Sequence, residues 1–139
     1  MVRSEPSLTS FSTAVEAIYD CALDAAHWEE ALRLIGALTD SPCAGMGTTD
    51  YVRGHHENAV FVGVDPIYVA SYSEKFAVNP LISAGHRRPL GEVYGLANIV
   101  SDEVINSPFV HCWSRPQDLG DLIAVNAVRA GQRVGGMSV

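Results

Sequence analysis

The chain has 139 residues, of which 47% are hydrophobic and 18% charged, and its formal net charge at pH 7 is −7. This length fits one domain with its own core, and the composition is too apolar for a disordered chain. The excess of acidic residues disfavours a surface that binds the phosphate backbone of nucleic acid. We therefore expect no direct contact between this chain and DNA or RNA.

The sequence also indicates where the protein resides. No apolar run approaches the roughly 20 residues that a membrane-spanning helix needs, and the first residues lack the apolar stretch of a secretory signal. Cysteines are odd in number and widely spaced, at Cys21, Cys43 and Cys112. Such a pattern favours buried, reduced thiols over disulfides. We expect a cytoplasmic protein that does not contact a membrane.

Two amphipathic helices are predicted at the N-terminus. The first opens at Thr13, which has capping-box spacing to Glu16. Its predicted buried face consists of Val15, Ile18, Tyr19 and Ala22. The second helix has acidic residues in its first turn and ends before Pro42. Its predicted buried stripe consists of Trp28, Ala31, Leu32, Ile35 and Leu38. The pair predicts a helical hairpin packed on a sheet.

A β-hairpin is predicted next. Small residues from Cys43 to Asp50 lack helical periodicity and predict a strand with a close neighbour. Gly54 marks a turn, and the apolar run Ala59 to Val64 predicts the second strand. His55 and His56 would then lie at the polar tip between the strands.

The middle of the chain predicts short helices around a long loop. Asp65 and Pro66 suit the start of a helix. The segment from Asn79 to Gly95 is rich in proline and glycine and predicts a loop, with a short strand near Val93. Two further short helices are predicted to begin at Ser101 and Ser107 and to end by Pro116.

The C-terminal segment predicts two paired antiparallel strands. Leu122 to Val128 is strongly β-like, and Arg133 to Val139 would return beside it after a turn at Ala130 to Gln132. A strand that ends the chain would leave an open edge. Together with the apolar-rich composition, this edge predicts a homodimer that covers an edge or a helix face.

The sequence contains no recognisable catalytic or metal-binding motif. His55 and His56 are adjacent, so in a strand they would face opposite sides and could not share a metal ion. The run from Gly45 to Gly47 lacks the third glycine of a dinucleotide-binding loop. We therefore predict no catalytic residues and no metal ligands, and the sequence identifies no cofactor.

Aromatic residues around the predicted loop are the candidates for ligand binding. A pocket lined by such side chains with a few polar groups is typical of small-molecule sites. The same residues could simply fill the core. The candidate ligand-binding residues are Tyr72, Phe76, Tyr94, Phe109 and Trp113.

Several segments of the chain together resemble a known family. They lie at Ile18 to Thr39, Asn79 to Leu81 (NPL), Ser107 to Phe109 (SPF), Trp113 to Ile123 and Arg133 to Val139 (RVGGMSV). In combination they resemble the N-terminal sensory region of bacterial LuxR-type helix-turn-helix transcriptional regulators. The resemblance implies an α/β (α+β) fold of PAS or GAF type, in which helices flank an antiparallel sheet. It also implies a signal passed to a C-terminal DNA-binding domain.

The resemblance would continue beyond Val139 with further helices. We therefore expect residues 1–139 to be a single sensory domain, either truncated before the DNA-binding helices or standing alone. The leading hypothesis is a domain that binds a small-molecule signal and is not an enzyme. One alternative is a dimerisation or interaction module without a ligand. Another is a small enzyme of unrecognised type, although no nucleophile and base stand at usable spacing.

Overall fold

The computed structural model describes residues 4–139, which form an antiparallel sheet of five strands with helices on both faces. The helices are α1 (Leu8–Asp20), α2 (Trp28–Leu38), α3 (Pro66–Ser71), α4 (Pro80–His86) and α5 (Asp102–Ile105). The strands are β1 (Ala44–Asp50), β2 (His55–Val62), β3 (Val93–Gly95), β4 (Ile123–Ala130) and β5 (Arg133–Ser138). This arrangement confirms the α+β fold predicted from the sequence. No helix within this described part is long and apolar enough to cross a membrane.

The strand order is β2-β1-β5-β4-β3, so the last strand of the chain lies in the middle of the sheet. Gly136 of β5 is paired with Gly47 of β1 on one side and with Asn126 of β4 on the other. The predicted pairing of the two C-terminal strands is confirmed. The predicted open edge at the final strand is wrong, because β1 fills the side that β4 leaves free. The edge strands are β2 and β3.

Helix α1 begins earlier than predicted and buries a different face. Ser7 caps it by accepting a hydrogen bond from the N–H of Ser10, whereas Thr13 lies inside the helix and donates to the carbonyl of Thr9. The small residues Ala14 and Cys21 are buried. Of the predicted face, Val15 is half-buried and Ile18, Tyr19 and Ala22 are exposed. The sequence prediction therefore chose the wrong side of this helix.

Helix α2 provides the contact between the hairpin and the sheet. Leu32 has no exposed surface and packs against Ala44 of β1 and Val62 of β2. Trp28, Ile35 and Leu38 of the predicted stripe are only half-buried. Helix α1 packs on α2, so α2 lies between α1 and the sheet. The prediction that both helices lie directly on the sheet holds for α2.

The first hairpin is longer than predicted. Gly54 has a φ of +69° in the turn, as glycine readily allows, and β2 begins directly after it at His55. The predicted strand began four residues later, at Ala59, and therefore left both histidines outside the sheet. The carboxylate of Asp50 closes the turn by accepting hydrogen bonds from the N–H groups of Val52 and Arg53.

The segment predicted as a loop contains helix α4. Asn79 caps it by accepting hydrogen bonds from the N–H groups of Leu81 and Ile82, and Pro80 occupies the first helical position. An Asn-Pro pair is a standard helix start, so the signal was present in the sequence. The many Pro and Gly residues obscured it. The predicted short strand at Val93 is β3.

The remaining helical segments follow the predicted starts. Asp65 caps α3, which continues into a π-helical turn over Tyr72–Phe76. Ser101 caps α5, and a second π-helical turn covers Val110–Ser114. The cysteines differ from the prediction of buried thiols, since Cys21 is buried, Cys43 is half-buried and Cys112 is exposed.

Candidate ligand pocket

A cavity of about 770 Å³ lies between one face of the sheet and the helices that follow β2. This face, called the inner face below, carries Thr49, His56, Phe61, Ala124 and Asn126. Parts of the two π-helical turns, α4, α5, the segment that leads into β4 and the loop of residues 39–43 also line the cavity. The cavity reaches the outer face of the sheet as well, at Ala44, Met46, Val125 and Met137. Pockets that hold small molecules usually have volumes of about 300–1,000 Å³. The cavity is therefore large enough for a ligand.

One wall of the cavity is an aromatic cluster. The rings of Phe109 and Trp113 stack with centroids 5.1 Å apart and an interplanar angle of 16°. Tyr72 contacts both rings, with centroid distances of 6.1 and 5.4 Å. The indole N–H of Trp113 donates a 2.7 Å hydrogen bond to the carbonyl of Tyr68. This bond fixes the orientation of the tryptophan and leaves the indole N–H unavailable to a ligand.

Four of the five residues proposed from the sequence border the cavity: Tyr72, Tyr94, Phe109 and Trp113. Phe76 packs behind Phe109, with ring centroids 5.8 Å apart, and is not part of the lining. Tyr94 belongs to a second cluster with Ile99 and Ala124 rather than to the aromatic wall. Ligand binding by these residues stays a prediction.

Sequence reasoning missed the polar part of the lining, above all His56. Its Nδ1 lies 3.0 Å from the hydroxyl of Thr49, and its ring meets Tyr72 edge-on at 5.4 Å. His55 faces the opposite side of β2, where its Nε2 lies 2.9 Å from a carboxylate oxygen of Glu57. The expectation that the two histidines point apart was correct. Their assignment to a polar hairpin tip was wrong, because β2 already begins at His55.

Tyr51 was also missed, because it follows directly after β1. Its hydroxyl donates a 3.2 Å hydrogen bond to the carbonyl of Ile82, and its ring lies 3.8 Å from that of His86. Burial raises the pKa of Tyr51, and the charges that Tyr72 and Tyr94 would carry when ionised raise it further. Three tyrosines from different elements thus approach one region of the cavity.

Two glycines of β1 allow rings from β2 to lie across the sheet. A Cβ atom on Gly47 would overlap the imidazole of His56, and one on Gly45 would lie 3.0 Å from the ring of Phe61. The sequence predicted a close neighbour for this glycine-rich strand. The neighbours are side chains from β2, which explains the Gly-Met-Gly run without any phosphate-binding role.

The charged residues of the lining lie at its rim. Asp40, Arg115, Asp118 and Asp121 are all exposed. Inside the cavity, burial lowers the pKa of His56, and burial with nearby Arg129 and Arg87 lowers that of His86. Both histidines are therefore neutral at pH 7. Residues 4–139 contain no group of three or more His, Cys, Asp or Glu side chains that could hold a metal ion.

No protein-family model and no curated protein matches the chain. Among solved structures, it is similar to the LBD domain of VqsR from Pseudomonas aeruginosa, with a TM-score of 0.71. The sequence identity is 16%, and the match covers 93% of this chain and 78% of the other. At this identity the likeness shows a shared fold: a five-stranded antiparallel sheet flanked by helices.

Proposed function

We propose that this chain is the signal-sensing domain of a LuxR-type transcriptional regulator in the cytoplasm, and that its cavity binds a small molecule. The sequence resemblance and the fold shared with the VqsR LBD domain support this proposal independently of each other. In it, residues 1–139 act as a single non-catalytic domain of PAS or GAF type. Binding changes the stability of the domain and thereby signals to the rest of the regulator.

The unfilled cavity is the observation that carries the proposal. Protein interiors are normally packed as densely as organic crystals, and large internal voids reduce stability. The cavity of about 770 Å³ opens to solvent at its charged rim, and its aromatic lining with a few polar groups is the kind of concave surface that binds small molecules. An interaction module without a ligand would gain stability by filling this space with its own side chains. The cavity thus favours the sensing function over that alternative.

The experiment is thermal unfolding of the purified chain with and without fractionated small-molecule extracts of bacterial cells. A ligand at about 100 times its Kd stabilises the native state by about 2.7 kcal/mol, which raises Tm by several degrees. We expect at least one fraction to produce such a shift. If neither extracts nor a lipid-like library shifts Tm, the interaction module becomes the better explanation.

We also propose that the chain forms a homodimer through the exposed face of α1. Leu8, Phe11 and Tyr19 are 80%, 57% and 73% exposed, which is unusual for large apolar residues on one helix. Within α1, the apolar residues at positions 8, 11, 15 and 18 alternate spacings of three and four, as in the seam of a coiled coil, and Tyr19 lies beside them. Self-pairing through this α1 seam would bury the face that the sequence analysis expected to be buried.

The charge distribution of α1 is compatible with a second copy of the same helix. Its charged residues, Glu16 and Asp20, lie away from the α1 seam, so two copies would not bring their carboxylates together. A helix of 13 residues is about 20 Å long, which is short for a standard interface. We therefore expect a weak, reversible dimer.

Sedimentation velocity over a range of protein concentrations tests this dimer. The wild-type chain should shift from monomer to dimer as concentration rises, and the double variant Phe11→Ser with Tyr19→Ser should remain monomeric with an unchanged Tm. The control is Glu16→Gln, on the polar side of α1, which should dimerise like wild type. A wild-type monomer at several hundred micromolar, or a variant that still dimerises, would refute the proposal.

A further inference from the structure

Helix α4 lines the cavity but buries little of its own surface. Its residues Leu81, Ile82 and His86 border the cavity. Gly85 is the only residue of α4 that is fully buried, whereas α2 is anchored by the completely buried side chain of Leu32. Apolar burial stabilises a helix roughly in proportion to the area removed from water. The position of α4 therefore depends less on apolar packing than the position of α2 does.

Two side chains of β4 hold the end of α4 against the sheet. The amide of Asn126 donates hydrogen bonds of 2.8 and 3.1 Å to the carbonyls of Gly85 and Arg88. The guanidinium of Arg129 donates to the carbonyls of His86 and Arg88, at 2.8 and 3.3 Å. The last carbonyls of a helix have no partner inside the helix, and a cation is favourable at that end. Asn126 and Arg129 supply these missing partners.

The anchored end of α4 borders on solvent. Arg129 is exposed, so water can replace its hydrogen bonds when the helix moves away. The loop of residues 87–92 that follows α4 is also open. Gly91 has a φ of +75°, and a Cβ on it would meet no atom within 4 Å. Neither the polar anchors nor the loop therefore prevents a local movement of the helix.

The side chain of Arg88 favours such a movement. Its Nη2 forms an ion pair with Glu92, but its Nε is buried and has no hydrogen-bond partner within residues 4–139. An unpaired donor in a buried position costs free energy, whereas the same group in water is hydrated. The closed position of the loop thus carries one unsatisfied group, and opening lets water reach it.

The anchors lie toward the end of the sheet that is opposite the charged rim of the cavity. The rim residue Asp121 lies just before β4, which begins at Ile123. Because a strand advances about 3.3 Å per residue, Asn126 and Arg129 lie about 10 and 20 Å along β4 from its first residue. A movement of α4 would therefore change the cavity at a place away from the rim.

We propose that residues 80–92, called the α4 segment, are a movable part of the cavity wall, and that Asn126 and Arg129 hold this segment against the sheet. Opening breaks their four hydrogen bonds and pivots the helix about Asn79, whose amide stays bonded to the carbonyl of Phe76. A ligand that contacts Leu81 favours the closed position. The inference rests on the proposed function, because a movable wall matters only if the cavity takes up a ligand.

Hydrogen–deuterium exchange of the purified chain without ligand tests this movement. The amides of residues 84–86 are hydrogen-bonded inside α4 and should exchange at least tenfold faster than the central amides of α2. Asn126→Ala and Arg129→Met each remove two hydrogen bonds to the α4 segment. Each variant should speed exchange at residues 84–86 about tenfold and leave α2 unchanged.

A matched arginine provides the control. Arg33 is an exposed residue of α2 that pairs with Glu29 and Glu30 of its own helix. Arg33→Met should therefore leave exchange in α4 at the wild-type rate. Since Arg129 is exposed, Arg129→Met keeps the core intact, and the test does not depend on whether Asn126→Ala folds.

Several results would overturn the movable segment. Exchange at residues 84–86 as slow as in α2 would mean that α4 opens only when the whole domain unfolds. Equal acceleration of α2 and α4 in the variants would mean that these bonds stabilise the domain as a whole, and unchanged exchange in Arg129→Met would mean that Arg129 holds nothing.

Measurements with cell extracts separate the inference from the proposed function. A fraction that raises Tm should slow exchange at residues 84–86 more than in α2. Equal slowing of both helices would overturn the inference and leave small-molecule sensing in place. If no fraction raises Tm, the proposed function fails, and the exchange measured without ligand still decides whether the segment moves.

Discussion

The two faces of the sheet are packed in different ways. On the outer face, Leu32 of α2 fills the space against Ala44 and Val62 and has no exposed surface. On the inner face, the aromatic wall meets the sheet at His56 and Phe61 and borders a cavity of about 770 Å³. The same five strands thus support a closely packed cluster at Leu32 on one side and the aromatic wall with its cavity on the other.

This difference separates the part of the molecule that stabilises it from the part suited to binding. Dense packing gives dispersion and hydrophobic energy, so the outer cluster favours folding with nothing bound. The inner face carries glycines at positions 45, 47 and 136, where a Cβ would meet the rings of Phe61 and His56 and the backbone of β4 respectively. Variants on the two faces should therefore differ in how they respond to a ligand.

The largest effects are expected for Trp113→Ala and Leu32→Ala. Trp113→Ala should reduce the free energy of unfolding by about 3–5 kcal/mol and Leu32→Ala by about 2–5 kcal/mol, because each empties a buried site. Trp113→Ala also removes the hydrogen bond to the carbonyl of Tyr68. Urea unfolding without ligand measures the loss of stability in each variant, and urea unfolding with an active extract measures how much ligand stabilises it.

Variants on the two faces should differ in how much an added ligand stabilises them. Leu32→Ala should keep most of the stabilisation by ligand, because Leu32 itself does not line the cavity, although its neighbour Ala44 does. Trp113→Ala should lose most of it, because the stacking wall is gone. Equal losses in both variants would show that the outer face also belongs to the binding site, and the contrast between the faces would disappear.

Sequence patterns predicted the elements of the fold well wherever a single signal was present. The strand pair after Leu122, the caps at Asp65 and Ser101 and the burial of Leu32 all follow from local residue types. The buried side of α1, in contrast, could not be predicted from its residue pattern. That helix has two apolar sides, and periodicity shows that a side is apolar without showing which one its own chain covers.

The candidate pocket was harder to predict, because its polar groups depend on pairing between distant segments. His56 turns inward only because β2 begins at His55, and a one-residue change in register would reverse every side chain of the strand. Tyr51 reaches the cavity after the end of its strand, and its partners lie on α4. The aromatic residues were easier to recognise because their size alone makes them candidates.

A smaller effect is expected where the inner face is tightest. Gly47→Ala would place a methyl group where the His56 imidazole lies, so the ring must move away from Thr49. Overpacking of this kind costs about 1–3 kcal/mol. Gly120→Ala is the control, since a Cβ at this position meets no atom within 4 Å. Thermal unfolding should show a lower Tm for Gly47→Ala alone, and equal values would mean that the ring adjusts freely.

The smallest effect is the loss of stability at acid pH. Variants of the adjacent residues His55 and His56 can show which face of the sheet causes it. Burial lowers the pKa of His56, although a hydrogen bond with the backbone of Met46 opposes the shift. The groups around its ring are Thr49, Tyr72, Phe61 and Gly47, none of which carries a charge at neutral pH.

The unfolded chain binds a proton at His56 near pH 6.5, where the native state does not, so stability should fall as pH drops below about 6.5. His86, whose pKa is also lowered, contributes in the same direction. His56→Gln should therefore make the free energy of unfolding less dependent on pH between 7.5 and 5.5 without abolishing the dependence. His55→Gln, on the outer side of the same strand beside Glu57, should retain the wild-type slope. Urea unfolding at the two pH values gives these slopes, and a reduction in His55→Gln instead of His56→Gln would place the acid-sensitive group on the outer face.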